Sequence, residues 1–284
     1  MVRYMIRLCA LLMAMSQAAL SQPRTEEPFR IGMVVAASDV PEIEGVSGIR
    51  EMFSRALGRS VEVIAARDHE ALVAAHVAGR VDYAIYTALS YAAAARCGCV
   101  EPIATPMTSE GAIGVRSILM TRTERALERI AVGAPDSVAG RLAPLALWPD
   151  AFEARSAQRL VDFPSAQDAQ EEFVAGAVDA IFGWVPVSSS GENLPGGTPD
   201  RLAAMSSAGT ESRIEWESDV LRHGPHAVRA DLSRDMRQKL VAMLVDGTDA
   251  ELVYINRAYG GGFVAASRDD YQPAVKILES LEAE

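Results

Sequence analysis

Cysteine and basic charge are scarce in this sequence. Only three cysteines occur in 284 residues, which is too few for a small scaffold held together by disulfides. The net charge of -11 argues against nucleic acid and anionic membrane surfaces as partners. An anionic small molecule remains a candidate ligand, because backbone N–H groups can hold an anion without any net positive charge.

Long hydrophobic runs are missing, since no segment is apolar over the roughly 20 residues that a membrane-spanning helix needs. A shorter apolar run at residues 8–15 follows Arg3 and Arg7 and precedes small residues at 19–21. This pattern is typical of a signal peptide, with a short buried helix as the alternative. We expect residues 1–21 to be removed on export to the periplasm, which changes the net charge from -11 to -13.

Motifs for catalysis are also absent from the sequence. It contains no G-x-S-x-G, no P-loop and no G-x-G-x-x-G, and its histidines form no H-E-x-x-H. His223 and His226 could bind a metal weakly, but a loop between a strand and a helix is the preferred interpretation. We predict a protein that is not an enzyme and has no cofactor and no metal site.

The two cysteines beyond the signal peptide form a Cys97-x-Cys99 pair. A disulfide between them would close a tight ring. Three interpretations stay open: incidental thiols, a disulfide or redox pair, and a site for a thiophilic ligand.

Strands and helices alternate along most of the chain. A chain of 284 residues favours two lobes of roughly 100–150 residues each. The β-α-β order of the first half predicts a largely parallel sheet flanked by helices, and a second alternation predicts a smaller lobe. Ligands of such sheets bind beyond the carboxyl ends of the strands, where here the loops at 37–44 and 87–90 lie.

Several polar or aromatic residues are candidates for a ligand site at these strand ends. Ser137 follows a strand and precedes a helix. The amides of Val138, Ala139 and Gly140 there bind an anion, or the loop contacts a different ligand group, or Asp136 or Ser137 simply caps the helix. Thr87 and Ser90 offer hydroxyls or caps at another helix start. Trp184 follows a strand directly, where it lines the cleft or packs between the lobes. Ser38 lies in the first loop.

Several short motifs occur in an order that resembles one protein family. This family comprises the phosphate/phosphite/phosphonate-type periplasmic binding proteins of ABC transporters. The matching segments are A-G-R-V-D-Y-A at 78–84, its counterpart at 175–180, L-S-Y at 89–91, V-R-S at 115–117, the Ser137 loop at 134–140, residues 223–232, and G-F-V-A at 262–265.

The resemblance implies a two-lobed α/β fold of the type II periplasmic-binding class. Each lobe is then a mostly parallel sheet flanked by helices, and two crossover strands join the lobes. We expect lobe 1 to span 28–118 and 215–284, and lobe 2 to span 119–214. The implied function is capture of a small, anionic solute for an ABC importer permease by a monomeric protein. Tyr91 matches the family tyrosine of the cleft.

The sequence departs from the family at positions that contact the ligand. Val138 and Ala139 replace hydroxyl residues of the anion loop, and Gln167 replaces a histidine. The resemblance therefore supports the family fold for this chain more strongly than it supports binding of phosphonate. The alternative function is a periplasmic sensing subunit that reports to a membrane histidine kinase, for example in oxyanion or arsenite sensing. An enzyme on this fold would need a reactive group in the cleft, and the sequence offers none that is convincing.

Overall fold

The chain forms two six-stranded sheets with helices packed against them. A computed structural model describes residues 27–34, 45–122, 126–206, 211–248, 252–256 and 258–283. The predicted signal peptide and Ser38 lie outside these residues. Within the described ranges, no helix combines the length and the apolar character needed to cross a membrane.

The first sheet has the strand order β12-β4-β11-β3-β1-β2. Strands β1, β2 and β3 pair in parallel, whereas β11 is antiparallel to β3 and β4, and β12 is antiparallel to β4. The strands of this sheet are β1 (Phe29–Val34), β2 (Val61–Ala66), β3 (Tyr83–Ile85), β4 (Val100–Thr108), β11 (His226–Arg229) and β12 (Gly260–Ala265). Its helices are α1 (Val46–Leu57), α2 (His69–Val77), α3 (Ala88–Ala95) and α8 (Arg234–Val245).

The second sheet has the order β10-β5-β8-β6-β7, and β9 also pairs with β5. Its strands are β5 (Ala112–Arg122), β6 (Ile130–Val132), β7 (Leu160–Asp162), β8 (Ala180–Ser188), β9 (Ser212–Glu217) and β10 (Leu221–Arg222). Parallel pairs join β6 to β7 and β8, whereas β5 is antiparallel to β8, β9 and β10. Each described sheet therefore has three antiparallel pairs and two parallel ones, so the prediction of mostly parallel sheets is wrong in this detail. Every antiparallel pair involves a strand next to one of the two crossings between the sheets, β4, β5, β10 or β11.

Further helices pack on the second sheet and close the chain. A π-helix (Val138–Leu142) continues into α4 (Ala143–Leu147), and α5 (Ala151–Ser156), α6 (Ala166–Ala175) and α7 (Gly197–Met205) follow. A 3-10 helix (Arg268–Tyr271) then leads into α9 (Gln272–Ala283), which contacts both α3 and α4. The last helix therefore touches both lobes.

The chain passes between the sheets at residues 109–111 and again at 223–225. The full length of β5 and both strands of 212–222 belong to the second sheet. The sheets therefore divide the chain about ten residues before the expected boundary at 118/119 and about ten residues after the one at 214/215. Those boundaries came from motif positions, which do not reveal where a strand changes its pairing partner.

Helix α1 shows why these residues fold as they do. Its buried residues, Ile49, Met52, Phe53 and Leu57, recur at helical spacing and form one apolar face. Gly58 ends the helix with φ at 69°, a left-handed conformation that favours glycine. Phe53 packs edge-on against Tyr83 of β3, with ring centroids 4.8 Å apart, and so joins α1 to the sheet.

Cys97 and Cys99 are joined by a disulfide, one of the three interpretations left open by the sequence. The pair follows α3 directly. A loop of three residues loses little conformational entropy when it closes, so this bond stabilises the fold far less than a long-range disulfide would.

We predict that Phe53→Ala lowers the free energy of unfolding by about 3–5 kcal/mol, because it leaves a cavity beneath α1. Phe152→Ala is the matched control, since the Phe152 side chain is 83% exposed whereas Phe53 is fully buried. Urea unfolding followed by circular dichroism measures both variants. Equal losses in the two variants would contradict this account of the core.

Two buried histidines predict acid sensitivity. Burial lowers the pKa of His76 to about 4 and that of His226 to about 3. The unfolded chain binds these protons near a pKa of about 6.5, so stability is complete above that pH and falls by roughly 2–3 kcal/mol per histidine towards pH 4.

The measurement is the free energy of unfolding from pH 7 to pH 4. We expect His226→Gln to reduce its pH dependence, whatever its effect on stability at pH 7. His69→Gln is the control substitution, because the His69 side chain is exposed. An unaltered slope in His226→Gln would show that this histidine does not contribute.

Candidate functional site

A pocket of about 190 Å³ lies where the two lobes meet. Its walls come from the start of α3, the start of the π-helix, strand β10 and the C-terminal segment. The lining is mostly apolar and consists of Thr87, Ala88, Leu89, Val138, Val220, Leu221, Arg222, Asp270, Tyr271, Ala274 and Ile277. The first turns of two helices, one from each lobe, thus line the same small pocket.

The start of α3 is held by a capping box. The Thr87 amide donates to Ser90 Oγ at 2.9 Å, and the Ser90 amide donates to Thr87 Oγ1 at 3.1 Å. Both predicted hydroxyls are therefore engaged in capping, with Thr87 lining the pocket and Ser90 buried behind it. Of the hydrogen bonds among described residues, none uses the amides of Ala88 and Leu89, which belong to the unsatisfied first turn.

The Ser137 loop builds the opposing helix start. Ser137 Oγ accepts from the Gly140 amide at 3.2 Å, and its carbonyl accepts from the Arg141 and Leu142 amides at 3.0 Å each. The hydrogen bonds of the described chain leave the amides of Val138 and Ala139 unused. A side chain on Gly140 would bring its Cβ to 2.8 Å from Ser137 Oγ, so this cap requires glycine.

Val138 and Ala139 face different surroundings. The Val138 side chain is 38% exposed and lines the pocket. The Ala139 carbonyl accepts from Ser117 Oγ of β5 at 2.6 Å, which anchors the π-helix to the second sheet. The amide groups of this turn are thus fixed in position by contacts outside the pocket.

Tyr91 lies one layer behind the pocket wall. Its side chain is 1% exposed and packs edge-on against Tyr271, with ring centroids 4.8 Å apart. Burial raises the pKa of Tyr91 to about 12, and its hydroxyl has no hydrogen-bond partner among the described residues. In this structure Tyr91 supports Tyr271, and a direct contact of Tyr91 with a ligand stays a prediction.

Tyr271 and Asp270 line the pocket although the sequence analysis did not propose them as ligand residues. Tyr271 donates its hydroxyl to the carbonyl of His223, at the second crossing between the lobes, at 2.9 Å. Asp270 accepts from Arg222 of β10 at 2.7 Å, with the two side chains 22% and 18% exposed. These two residues follow the G-F-V-A motif at 262–265 by only a few positions, and this proximity was the available signal.

Two other predicted residues lie away from this pocket. Trp184 lies within β8 rather than directly after a strand, so that part of its prediction is wrong. It is half-buried, and the Arg201 guanidinium of α7 lies 5.5 Å from its ring centroid. Gln167 is exposed at the start of α6, where its amide donates to Glu171 Oε1 at 2.8 Å. Ligand contact by these two residues stays a prediction, and Ser38 lies outside the described residues. In the ranges described, no group of three or more histidine, cysteine or carboxylate residues is arranged to hold a metal.

The family of periplasmic substrate-binding proteins of phosphonate ABC transporters matches residues 31–271. The chain belongs to this family. The family predicted from the sequence motifs is therefore confirmed. Family membership supports a role in solute binding, and it does not support the alternative of a sensing subunit. Members of the family are periplasmic substrate-binding components of transporters, which implies a small-molecule ligand and a membrane permease as partners.

Solved structures of this fold agree with the family match. A binding protein component of an ABC phosphonate transporter from Pseudomonas aeruginosa is 18% identical, with a TM-score of 0.50 over 90% of this chain and 87% of that chain. PhnD1 from Prochlorococcus marinus, in complex with methylphosphonate, is 15% identical, with a TM-score of 0.50 over 90% and 98%.

A Xanthomonas citri protein bound to chloride ion is 11% identical, with a TM-score of 0.53 over 90% of this chain and 99% of that chain. At these identities the likeness establishes the fold, which is the predicted two-lobed α/β class. No curated protein matches this phosphonate-family binding protein in sequence.

We predict that Asp270→Asn destabilises the protein by about 1–3 kcal/mol, because Arg222 loses its ionic partner in a largely buried site. Asp270 Oδ2 also accepts from the Ser267 amide at 2.7 Å, which caps the 3-10 helix. Asp269→Asn is the matched control, since the neighbouring Asp269 is exposed. Thermal unfolding of both variants tests the difference, and an equal shift would contradict it.

Proposed function

We propose that this protein captures a small anion in the interlobe pocket and delivers it to the permease of an ABC importer without converting it. The observation that carries the proposal is the meeting of two helix starts, one from each lobe, at a single pocket. This arrangement suits a ligand that bridges the lobes, because both helix starts can contact it at once.

Backbone amides supply the attraction for the anion. The unused amides of Ala88, Leu89, Val138 and Ala139 lie in first turns, where the helix dipole adds partial positive charge. The nearby guanidinium of Arg222 is already paired with Asp270. The pocket therefore holds a single compact anion by amides, rather than a multiply charged ligand by cationic side chains.

The apolar lining sets the second requirement on the ligand. Leu89, Val138 and Ile277 present hydrocarbon where hydroxyls would suit an inorganic oxyanion. Burying an unpaired phosphate oxygen against these side chains costs free energy, whereas burying an alkyl group is favourable. We therefore expect an organic anion with a short apolar substituent to bind better than inorganic phosphate.

The wider assignments follow from the same proposal. Export requires the signal peptide at residues 1–21, and delivery to a permease is compatible with a monomer. The two crossings at 109–111 and 223–225 provide the hinge about which the lobes close on the ligand. Catalysis is not part of the proposed role, so the bound solute should leave unchanged.

We predict saturable binding of one methylphosphonate per chain, with weaker binding of inorganic phosphate. Isothermal titration of the purified exported chain measures both ligands, and phosphorus NMR of the mixture should show no product. Titrations without binding for methylphosphonate, phosphate and acetate would refute the proposal, and so would the appearance of a product.

A charge placed at the pocket provides the sharper test. Val138→Asp should lower methylphosphonate affinity by at least roughly tenfold, because a carboxylate beside the helix start repels the anion. Val245→Asp is the matched control, because Val138 and Val245 are both 38% exposed and Val245 lies on α8 away from the pocket. Equal affinities in the two variants would place the ligand elsewhere.

A further inference from the structure

The disulfide between Cys97 and Cys99 stands at the opposite end of α3 from the pocket. Its first residue, Cys97, is exposed, as is Gly98, and Cys99 is half-buried. Gly98 has φ at 67° and bonds its amide to the Ala95 carbonyl at 3.0 Å, so the loop is a tight turn after the helix. We propose that this disulfide is a redox-active site that exchanges with small thiols, and that its opening loosens the 3-10 helix beside the pocket.

The bond contributes little that the fold needs. It joins residues only two apart in the chain, so it constrains the unfolded state weakly. Cys97 lies outside the buried clusters, and Cys99 only packs at the edge of one of them. A disulfide in such a place can open while both lobes remain folded, which a disulfide across a core cannot do.

Cys97 is the more exposed residue of the pair, and this sets the proposed direction of the exchange. A thiolate attacks Cys97 Sγ, the bond between the two sulfurs breaks, and Cys99 leaves as a thiolate that takes up a proton. A second thiolate then attacks the sulfur of the small thiol in the mixed disulfide, and Cys97 leaves as a thiolate that takes up a proton. The products are a protein dithiol and the disulfide of the small thiol, so two electrons pass from two thiols to the protein. Exposed disulfides are the ones that small thiols reduce.

One guanidinium connects this loop to the pocket. Arg268 donates from Nη2 to the carbonyl of Gly98 at 2.8 Å and to that of Val100 at 3.4 Å. Arg268 is the first residue of the 3-10 helix, whose Asp270 and Tyr271 line the pocket. When the ring opens, the Gly98 carbonyl is no longer fixed, and the 3-10 helix loses a support at its first residue.

The first experiment measures exchange in the folded protein. The oxidised full chain is incubated with a few millimolar reduced glutathione, which leaves typical structural disulfides intact. Alkylation and peptide mapping by mass spectrometry then count free thiols at Cys97 and Cys99. We expect most chains to be reduced with an unchanged circular dichroism spectrum. Thiols that appear only after denaturant is added would refute the redox assignment.

Single variants test which sulfur reacts. With glutathione disulfide, Cys99→Ser should form the mixed disulfide faster than Cys97→Ser, because only the former retains the exposed Cys97 thiol. Equal rates, or a faster reaction of Cys97→Ser, would contradict the proposed direction of attack. Neither cysteine lines the pocket, so ligand binding does not enter this measurement.

Hydrogen–deuterium exchange tests the link to the pocket. Reduction should speed amide exchange at residues 268–271 and leave α6 in the second lobe unchanged. The double variant with serine at both positions should not respond to glutathione. Unchanged exchange at 268–271 in the reduced protein would refute the link while leaving the redox site itself established. Failure of methylphosphonate binding would affect neither result.

Discussion

The contact between the C-terminal segment and the return crossing connects the two lobes beside the pocket. Tyr271 donates to the His223 carbonyl in that crossing, and Asp270 pairs with Arg222 just before it. Helix α9 continues from this segment and touches helices of both lobes. Because these bonds lie in a mostly buried region, they keep their direction and little of their strength is lost to solvent. The residues of this contact, Asp270, Tyr271 and Arg222, form part of the pocket wall between the two helix starts.

The proposed ligand site combines positive potential with apolar walls. In this proposal the amides of the two first turns attract the anion, because the basic residue that lines the pocket, Arg222, is already paired with Asp270. Val138 stands where a family hydroxyl is expected, and it turns hydrocarbon towards the same pocket. The helix start with its free backbone amides is therefore kept, while the side chains around it differ from the family pattern. Under the proposed function, ligand selection depends on the side chains, whereas attraction to an anion depends on the backbone.

Much of the fold was predictable because its signals are local. The helix of α1 follows from apolar residues at helical spacing and a glycine stop, and the strands follow from short apolar runs between turns. The ordered motifs added the two-lobed class. The candidate site was only partly predictable: Ser137 and Thr87 were found at helix starts, whereas Tyr91 lies behind Tyr271 and Trp184 lies beside Arg201. Sequence position alone does not tell which of two neighbouring aromatic rings reaches a cavity.

The sequence by itself determined the two alternations of strands and helices, several helix caps and the family, because each depends on residues close together in the chain. Only the tertiary structure decided which residues share the pocket. Arg222 and Asp270 are 48 residues apart, and their pairing depends on how β10 and the C-terminal segment approach each other. The sequence left three interpretations of Cys97 and Cys99 open. The structure decided for a disulfide, because it shows how the turn at Gly98 brings the two sulfurs together. Contacts between distant segments arise from packing of the whole chain, and no local pattern encodes them.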